Sequence, residues 1–163
     1  METHLERDKS FHNSVFFESV YQEIHPTIES AFKKASIPRF WFALHILIEM
    51  QLDQFLIRSF PEKLNAFYTN LSQLSESTIL KILQAVDHQE PTKFIDGFNR
   101  FLEVKYLQKY SDHSGIIYGL NRIYQQVGIQ KQEWTTQQHD ILLPLLFQIA
   151  HCIEVHFDTI ESL

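Results

Sequence analysis

Apolar residues recur along this chain at spacings of three and four, the period of an α-helix with one buried face. In residues 92–108 the repeating positions are Phe94, Ile95, Phe98, Phe101, Leu102 and Tyr106. The same period predicts helices over residues 13–34, 39–58, 61–73, 78–86, 92–108, 113–127 and 132–161. No segment has the pattern of a strand hairpin. The prediction is therefore an all-α bundle of about six or seven helices.

Prolines and polar residues set the predicted boundaries. Pro26 either kinks the first helix or begins a second one, and Pro144 is expected to kink the last. Asn13 or Ser14 is the expected N-cap of the first helix. Residues 1–10 are charged and polar and are predicted to be frayed. We interpret residues 1–163 as a single domain.

Composition agrees with a helical domain. The 163 residues include 4 Gly and 5 Pro, fewer than a parallel α/β fold or a β-sandwich requires for its turns. Phenylalanine and tyrosine are abundant, with 14 and 6 copies, which predicts a core rich in aromatic rings. Gly115 and Gly119, four residues apart, predict close packing along one helix face.

Charge and targeting signals narrow the function classes. The net charge is -6, and the longest basic run is a Lys pair, so a nucleic-acid-binding surface is not expected. Cys152 is the only cysteine and is expected to be inert core. No signal segment opens the chain, and no apolar run approaches the ~20 residues of a membrane span. We therefore expect a cytoplasmic protein that does not contact a membrane.

The sharpest chemical signal is a polar stripe on the most apolar predicted helix. His45, Glu49 and Asp53 follow one another at four-residue intervals, which stacks them along one side of a helix. Imidazole and carboxylate groups in an apolar setting suit a divalent metal such as Mn, Fe or Zn, or general acid–base chemistry. The alternative is structural: Arg39, Arg58 or Arg122 pairs with the two carboxylates.

Other candidates lie elsewhere in the chain. His12, near the start of the first helix, either reaches the same site or caps a helix. His151, Glu154 and Asp158 share one face of the last helix, forming either a second ligand stripe or an amphipathic tail. Arg122 is the cation expected to bind a substrate phosphate or clamp a stripe carboxylate.

Four short segments resemble bacterial acyl carrier protein phosphodiesterases. Residues 48–56, which run from Ile48 to Leu56, are similar to the family's D-x-x-x-D-H-F-L segment. Residues 23–26, which read Glu-Ile-His-Pro, resemble its D-x-H-P box. Residues 106–110 with the following 115–125 are similar to its W-L-x-x-Y segment and the next helix. The resemblance covers most of residues 20–160.

This resemblance implies an all-α fold distantly related to metal-dependent phosphohydrolases of the HD type. It also implies hydrolysis of the phosphodiester that joins 4′-phosphopantetheine to a carrier-protein serine, with an acyl carrier protein as partner. Glu49 and Asp53 would take the places of the family's two aspartates as catalytic residues and metal ligands. Glu23 and His25 would occupy the D-x-H-P box.

The chain also departs from the family pattern. Gln54 stands where the family has a histidine, and His45, one turn earlier, is the candidate replacement. The family's G-N-x-x-x-D segment has no counterpart, while His12 is a candidate remnant of its H-R-x-I-D box. The alternative hypothesis is accordingly an inactive helical binding or scaffold paralogue. A redox four-helix metal protein ranks last because the expected Glu-x-x-His pairs are missing.

Overall fold

The computed structural model describes residues 4–160, apart from the side chains of residues 4, 5 and 7. Within this range the chain forms eight α-helices and two short 3₁₀ segments, Tyr106–Ser111 and Phe157–Thr159, and no strand. The helices are α1 (His4–His12), α2 (Val15–Lys34), α3 (Phe40–Ser59), α4 (Pro61–Ser72), α5 (Glu76–Ala85), α6 (Pro91–Val104), α7 (His113–Gln126) and α8 (Thr136–His156). The all-α prediction is confirmed.

Helices α2, α3 and α8 form the centre of the bundle, and each packs against the other two. Their apolar stripes meet in a main core that includes Phe16, Val20, Ile28, Leu44, Leu47, Ile48, Leu142, Leu146 and Ile149, each almost fully buried. Full burial of one such side chain contributes about 1.5–3 kcal/mol. The metal-capable stripe of α3 therefore lies on a helix that the core holds firmly in place.

Helices α4, α5 and α6 extend from this core. Ile79, Leu83 and Ile95 form a smaller second cluster between α5 and α6. Tyr68 of α4 is buried, and its hydroxyl accepts a hydrogen bond from the Leu107 amide at 3.1 Å. This bond ties the extension to the 3₁₀ segment that packs against α3.

Helix packing around α7 is close, as its glycines predicted. A methyl group on Gly115 would collide with the backbone carbonyl of Lys109. At Gly119 it would lie 2.7 Å from the Met50 side chain and 3.1 Å from the Tyr110 ring. These contacts hold the 3₁₀ segment between α7 and α3.

The N-terminus differs from the prediction. Residues 1–10 were expected to fray, yet α1 begins at His4; residues 1–3 lie outside the described part of the chain. The pattern did not reveal α1 because its sequence is mostly charged or polar; among its described side chains, Phe11 near its end packs against the apolar core. Ser14 then caps α2, accepting a hydrogen bond from the Phe17 amide at 3.2 Å.

The two internal prolines do not divide their helices. Pro26 lies inside α2 and Pro144 inside α8, and both helices continue through them. Both prolines are exposed and line the same surface cavity, so water can bind the carbonyl groups that lack an amide donor. No new helix begins at Pro26.

Two helical stretches are apolar enough, by length and composition, to cross a membrane, contrary to the sequence expectation. They are Phe40–Ser59, in which 44% of the most apolar 18-residue stretch is buried, and Thr136–Thr159, in which the corresponding share is 33%. Core helices of soluble proteins satisfy the same criterion, and these two pack against each other in the bundle centre. Their apolarity alone therefore does not indicate a membrane segment.

Candidate metal centre

His12, His45 and Glu49 converge where the end of α1 crosses α3. We call these three residues the α1–α3 cluster. Their ligand atoms all lie within 4.8 Å of one another. Glu49 Oε1 is 2.9 Å from His12 Nε2 and 3.1 Å from His45 Nε2, and the two imidazole rings lie 4.1 Å apart. The structure thus joins the predicted candidate His12 to the first two members of the predicted stripe.

Local backbone structure places His12 over α3. The chain turns sharply between α1 and α2, where the Asn13 amide donates to Lys9 O and the Ser14 hydroxyl donates to Phe11 O at 2.6 Å. Phe17, at the start of α2, then lies edge-on to both imidazoles, at 4.8 Å from His12 and 5.6 Å from His45. Contacts with α1, α2 and α3 therefore fix the positions of the two imidazole rings.

Protons and a cation would compete for the centre of this cluster. A single carboxylate oxygen of Glu49 faces two imidazole nitrogens, so at least one imidazole must carry a proton there to donate to it. Asp8 Oδ2 lies 3.6 Å from His12 Nδ1, the opposite side of that ring. A carboxylate on this side favours the proton on Nδ1 and leaves Nε2 as the ligand atom. A divalent cation would replace the remaining protons.

The cluster opens to solvent on one side. The side chains of His12, His45 and Glu49 are 21, 43 and 40% exposed, which leaves room for a water or substrate atom. A cavity of about 350 Å³ adjoins it, lined by His12, Asn13, Phe17, Glu18 and Tyr21. An exchangeable ligand therefore has access to these three side chains.

Asp53, the third stripe residue, does not join the cluster. Successive steps of four residues on a helix with 3.6 residues per turn rotate by about 40° each, so the i+8 side chain leaves the line of the first. Asp53 lines instead an apolar cavity between α3 and α4, beside Leu56, Phe60 and Leu107. Desolvation, and secondarily the charge of Glu49, raises the pKa of Asp53 to about 6.

None of the three arginines pairs with the stripe carboxylates in the described residues. Arg58 donates to Ser111 O at 2.8 and 3.1 Å, and exposed Arg122 donates to Gln125. Arg39 has a left-handed backbone conformation at the start of α3, and its carbonyl accepts a hydrogen bond from Tyr124. Glu49 is bound by histidines instead, and Arg122 does not contact the cluster as a phosphate-binding residue would.

The last helix contributes a different group from the predicted one. His151, Glu154 and Asp158 are exposed and do not form a ligand cluster in the described structure. Cys152 and His156 instead meet Glu23 of α2, and their ligand atoms lie within 4.8 Å of one another. We call these three residues the α2–α8 cluster. Its signal in the sequence was the four-residue spacing of a cysteine and a histidine, which places both on one helix face.

Hydrogen bonds connect the α2–α8 cluster. Glu23 Oε2 lies 3.0 Å from His156 Nε2, and this hydrogen bond lowers the pKa of Glu23 against a smaller opposing effect of desolvation. Cys152 is buried, and burial together with Glu23 raises the pKa of its thiol to about 12. His25, the other residue of the Glu-Ile-His-Pro segment, lies between the rings of Tyr21 and Phe40. Neither residue of that segment joins the α1–α3 cluster.

No protein-family model, curated protein or solved structure matches this chain. The fold and the site define an all-α bundle with a candidate centre of two imidazoles and one carboxylate. The resemblance to acyl carrier protein phosphodiesterases stays a prediction based on the short segments quoted above.

Proposed function

We propose that this protein binds one divalent transition-metal ion at the α1–α3 cluster and uses it to hydrolyse a phosphodiester. The observation that carries the proposal is that His12, His45 and Glu49 converge, although the two histidines belong to different helices and are 33 residues apart in sequence. Ionisable groups brought together at an accessible point on an apolar core helix are typical of functional sites.

The donor set fits the ions expected from the sequence. Two imidazole nitrogens and one carboxylate oxygen suit Zn, Fe or Mn. Three protein ligands leave coordination positions open, as catalytic metal sites do and structural sites do not. When bound, such an ion supplies Lewis acidity toward a phosphoryl oxygen and lowers the pKa of a coordinated water.

The chain's own residues supply the rest of the proposed site. His12, His45 and Glu49 would hold the ion, and Asp8 would orient the His12 ring through its Nδ1 side. Phe17 excludes water from the inner edge of both rings. Asp53, one turn beyond Glu49, lines a separate cavity, so the proposal assigns it no proton-transfer step at the cluster, although the sequence predicted a catalytic role for it.

The substrate proposed from the resemblance is a phosphopantetheinylated carrier protein. The chain's net charge of -6 gives an acidic carrier protein no long-range attraction. Recognition would therefore depend on short-range contacts around the open side of the cluster. Since Arg122 is bound to Gln125 and away from the cluster, the proposal assigns it no phosphate contact.

The test combines metal content with activity. Protein purified without chelator is compared as wild type, His45→Ala and Glu49→Gln, with His88→Ala as a control because His88 is exposed and outside both clusters. We expect wild type to contain bound metal and each cluster variant to contain one ion fewer per chain. Hydrolysis of bis(p-nitrophenyl) phosphate should be lost together with that ion. Wild-type metal content and activity in both cluster variants would refute the proposal.

A non-enzymatic binding or scaffold protein is the second candidate. Its support is that Glu49 Oε1 already has two imidazole partners, so the cluster is satisfied without any ion. In that case His45→Ala lowers the stability of the fold, while wild type and His45→Ala bind the same number of Zn²⁺ ions per chain. Titration of wild type and His45→Ala with Zn²⁺, followed by calorimetry, separates the two candidates.

A further inference from the structure

We infer that the α2–α8 cluster is a second metal site, selective for a thiophilic divalent ion such as Zn²⁺. Glu23, Cys152 and His156 offer a carboxylate oxygen, a sulfur and an imidazole nitrogen within 4.8 Å of one another. These are the three side-chain donor types that Zn²⁺ binds in proteins. The inference does not depend on metal at the α1–α3 cluster.

Helix geometry holds the two donors of α8 in register. Cys152 and His156 are four residues apart and therefore lie on the same face, one turn above the other. Ile149 and Ile153, on either side of Cys152, are fully buried, which fixes this face of α8 against the core. Glu23 approaches from α2, the helix that packs most extensively against α8. An ion here would cross-link the two central helices.

An ion can reach the α2–α8 cluster from solvent. The side chain of Glu23 is 59% exposed and that of His156 is 24% exposed, so an ion can approach from solvent although Cys152 is buried. A cavity of about 260 Å³ adjoins Glu23 and is also lined by Gln148 and His151. A water is available to complete four-coordination, and His151 lines the same cavity. The Cys152 thiol releases its proton to solvent when the sulfur binds the ion.

Sulfur also separates this cluster from the proposed catalytic centre. Zn²⁺ and Co²⁺ bind thiolate readily, whereas the α1–α3 cluster contains only nitrogen and oxygen donors. Cys152 is the only cysteine of the chain, so any thiolate-to-metal absorption must come from this residue. The α2–α8 cluster can therefore be observed independently.

The experiment titrates the full chain, stripped of metal and reduced, with Co²⁺ while recording near-ultraviolet thiolate-to-cobalt charge transfer. We expect a band that saturates at one Co²⁺ per chain in His45→Ala, and at no more than two in wild type, where the α1–α3 cluster can also bind cobalt. Cys152→Ser should abolish the band, and His156→Ala or Glu23→Gln should weaken the Co²⁺ affinity that it reports by ~10-fold or more. His88→Ala is the control and should match wild type.

Stability provides a second readout in the His45→Ala background. Zn²⁺ should raise the thermal midpoint of His45→Ala and leave that of His45→Ala/Cys152→Ser unchanged. No charge-transfer band in folded, cobalt-saturated wild type would overturn the inference. A band unaffected by both His156→Ala and Glu23→Gln would overturn it too. Loss of metal at the α1–α3 cluster alone refutes only the proposed function.

Discussion

Asp53→Asn should stabilise this protein at neutral pH, although it removes a charged residue from the predicted catalytic stripe. The carboxyl has no hydrogen-bonding or ionic partner in the described structure and lines an apolar cavity, and burial raises its pKa from 3.8 to about 6. At about 1.4 kcal/mol for each pH unit, this difference corresponds to about 3 kcal/mol of destabilisation when the carboxyl is ionised. Asparagine removes the charge and keeps the size, so about 3 kcal/mol is the upper limit of the gain.

The pH dependence follows from the direction of the change. Between pH 3.8 and about 6 the native state binds more protons at Asp53 than the unfolded state does, so stability decreases as pH rises through this interval. The cost is fully present above pH 6 and absent below 3.8. The advantage of Asp53→Asn should therefore fall from at most about 3 kcal/mol at pH 7.5 to about half of its value there at pH 5.

Urea unfolding with chelator present, at pH 7.5 and pH 5, measures this advantage. Asp96→Asn is the matched control because Asp96 is exposed on α6, and it should change stability by less than about 0.5 kcal/mol at either pH. A gain of the same size at both pH values, or no gain at pH 7.5, would contradict the desolvation argument.

Three further predictions concern packing and buried polar groups. Gly115→Ala should destabilise the fold by about 1–3 kcal/mol, because its methyl group would collide with the Lys109 carbonyl. Gly97→Ala, in open space on α6, should stabilise the fold by about 0.5–1 kcal/mol. Thermal unfolding of the two variants tests both predictions. Gln51→Met should raise the urea midpoint by an amount equivalent to about 1–3 kcal/mol, because both amide atoms of Gln51 are buried without partners, and a loss of stability would mean that the amide is hydrogen-bonded. Burial lowers the pKa of His113 below 6.5, so the native state loses stability as pH falls through 6.5 and the imidazole of the unfolded state is protonated. Between pH 7.5 and 5.5, His113→Gln should therefore lose less stability than wild type. Equal losses of stability in urea titrations would refute this prediction.

The all-α fold class was largely predictable because buried apolar residues recur with the period of an α-helix. Helices α2, α3 and α8 carry apolar residues at three- and four-residue spacings, and those positions form the core. Helix α1 was missed because most of its residues are charged or polar and do not give the apolar period of a buried face. The candidate site was partly predictable for a similar reason: His45 and Glu49, four residues apart on one helix, do contact each other. The same reasoning extended to Asp53 failed because the helix rotates away over eight residues.

The sequence by itself determined the helical periods, the closest neighbours along each helix and the acidic charge, because these depend on local spacing and composition. Only the tertiary structure decided which helices cross. It placed His12 against Glu49, 37 residues later, and His156 against Glu23, 133 residues earlier. Such pairs depend on how apolar faces pack throughout the bundle, since many crossings satisfy the same periodic pattern and only side-chain packing selects one.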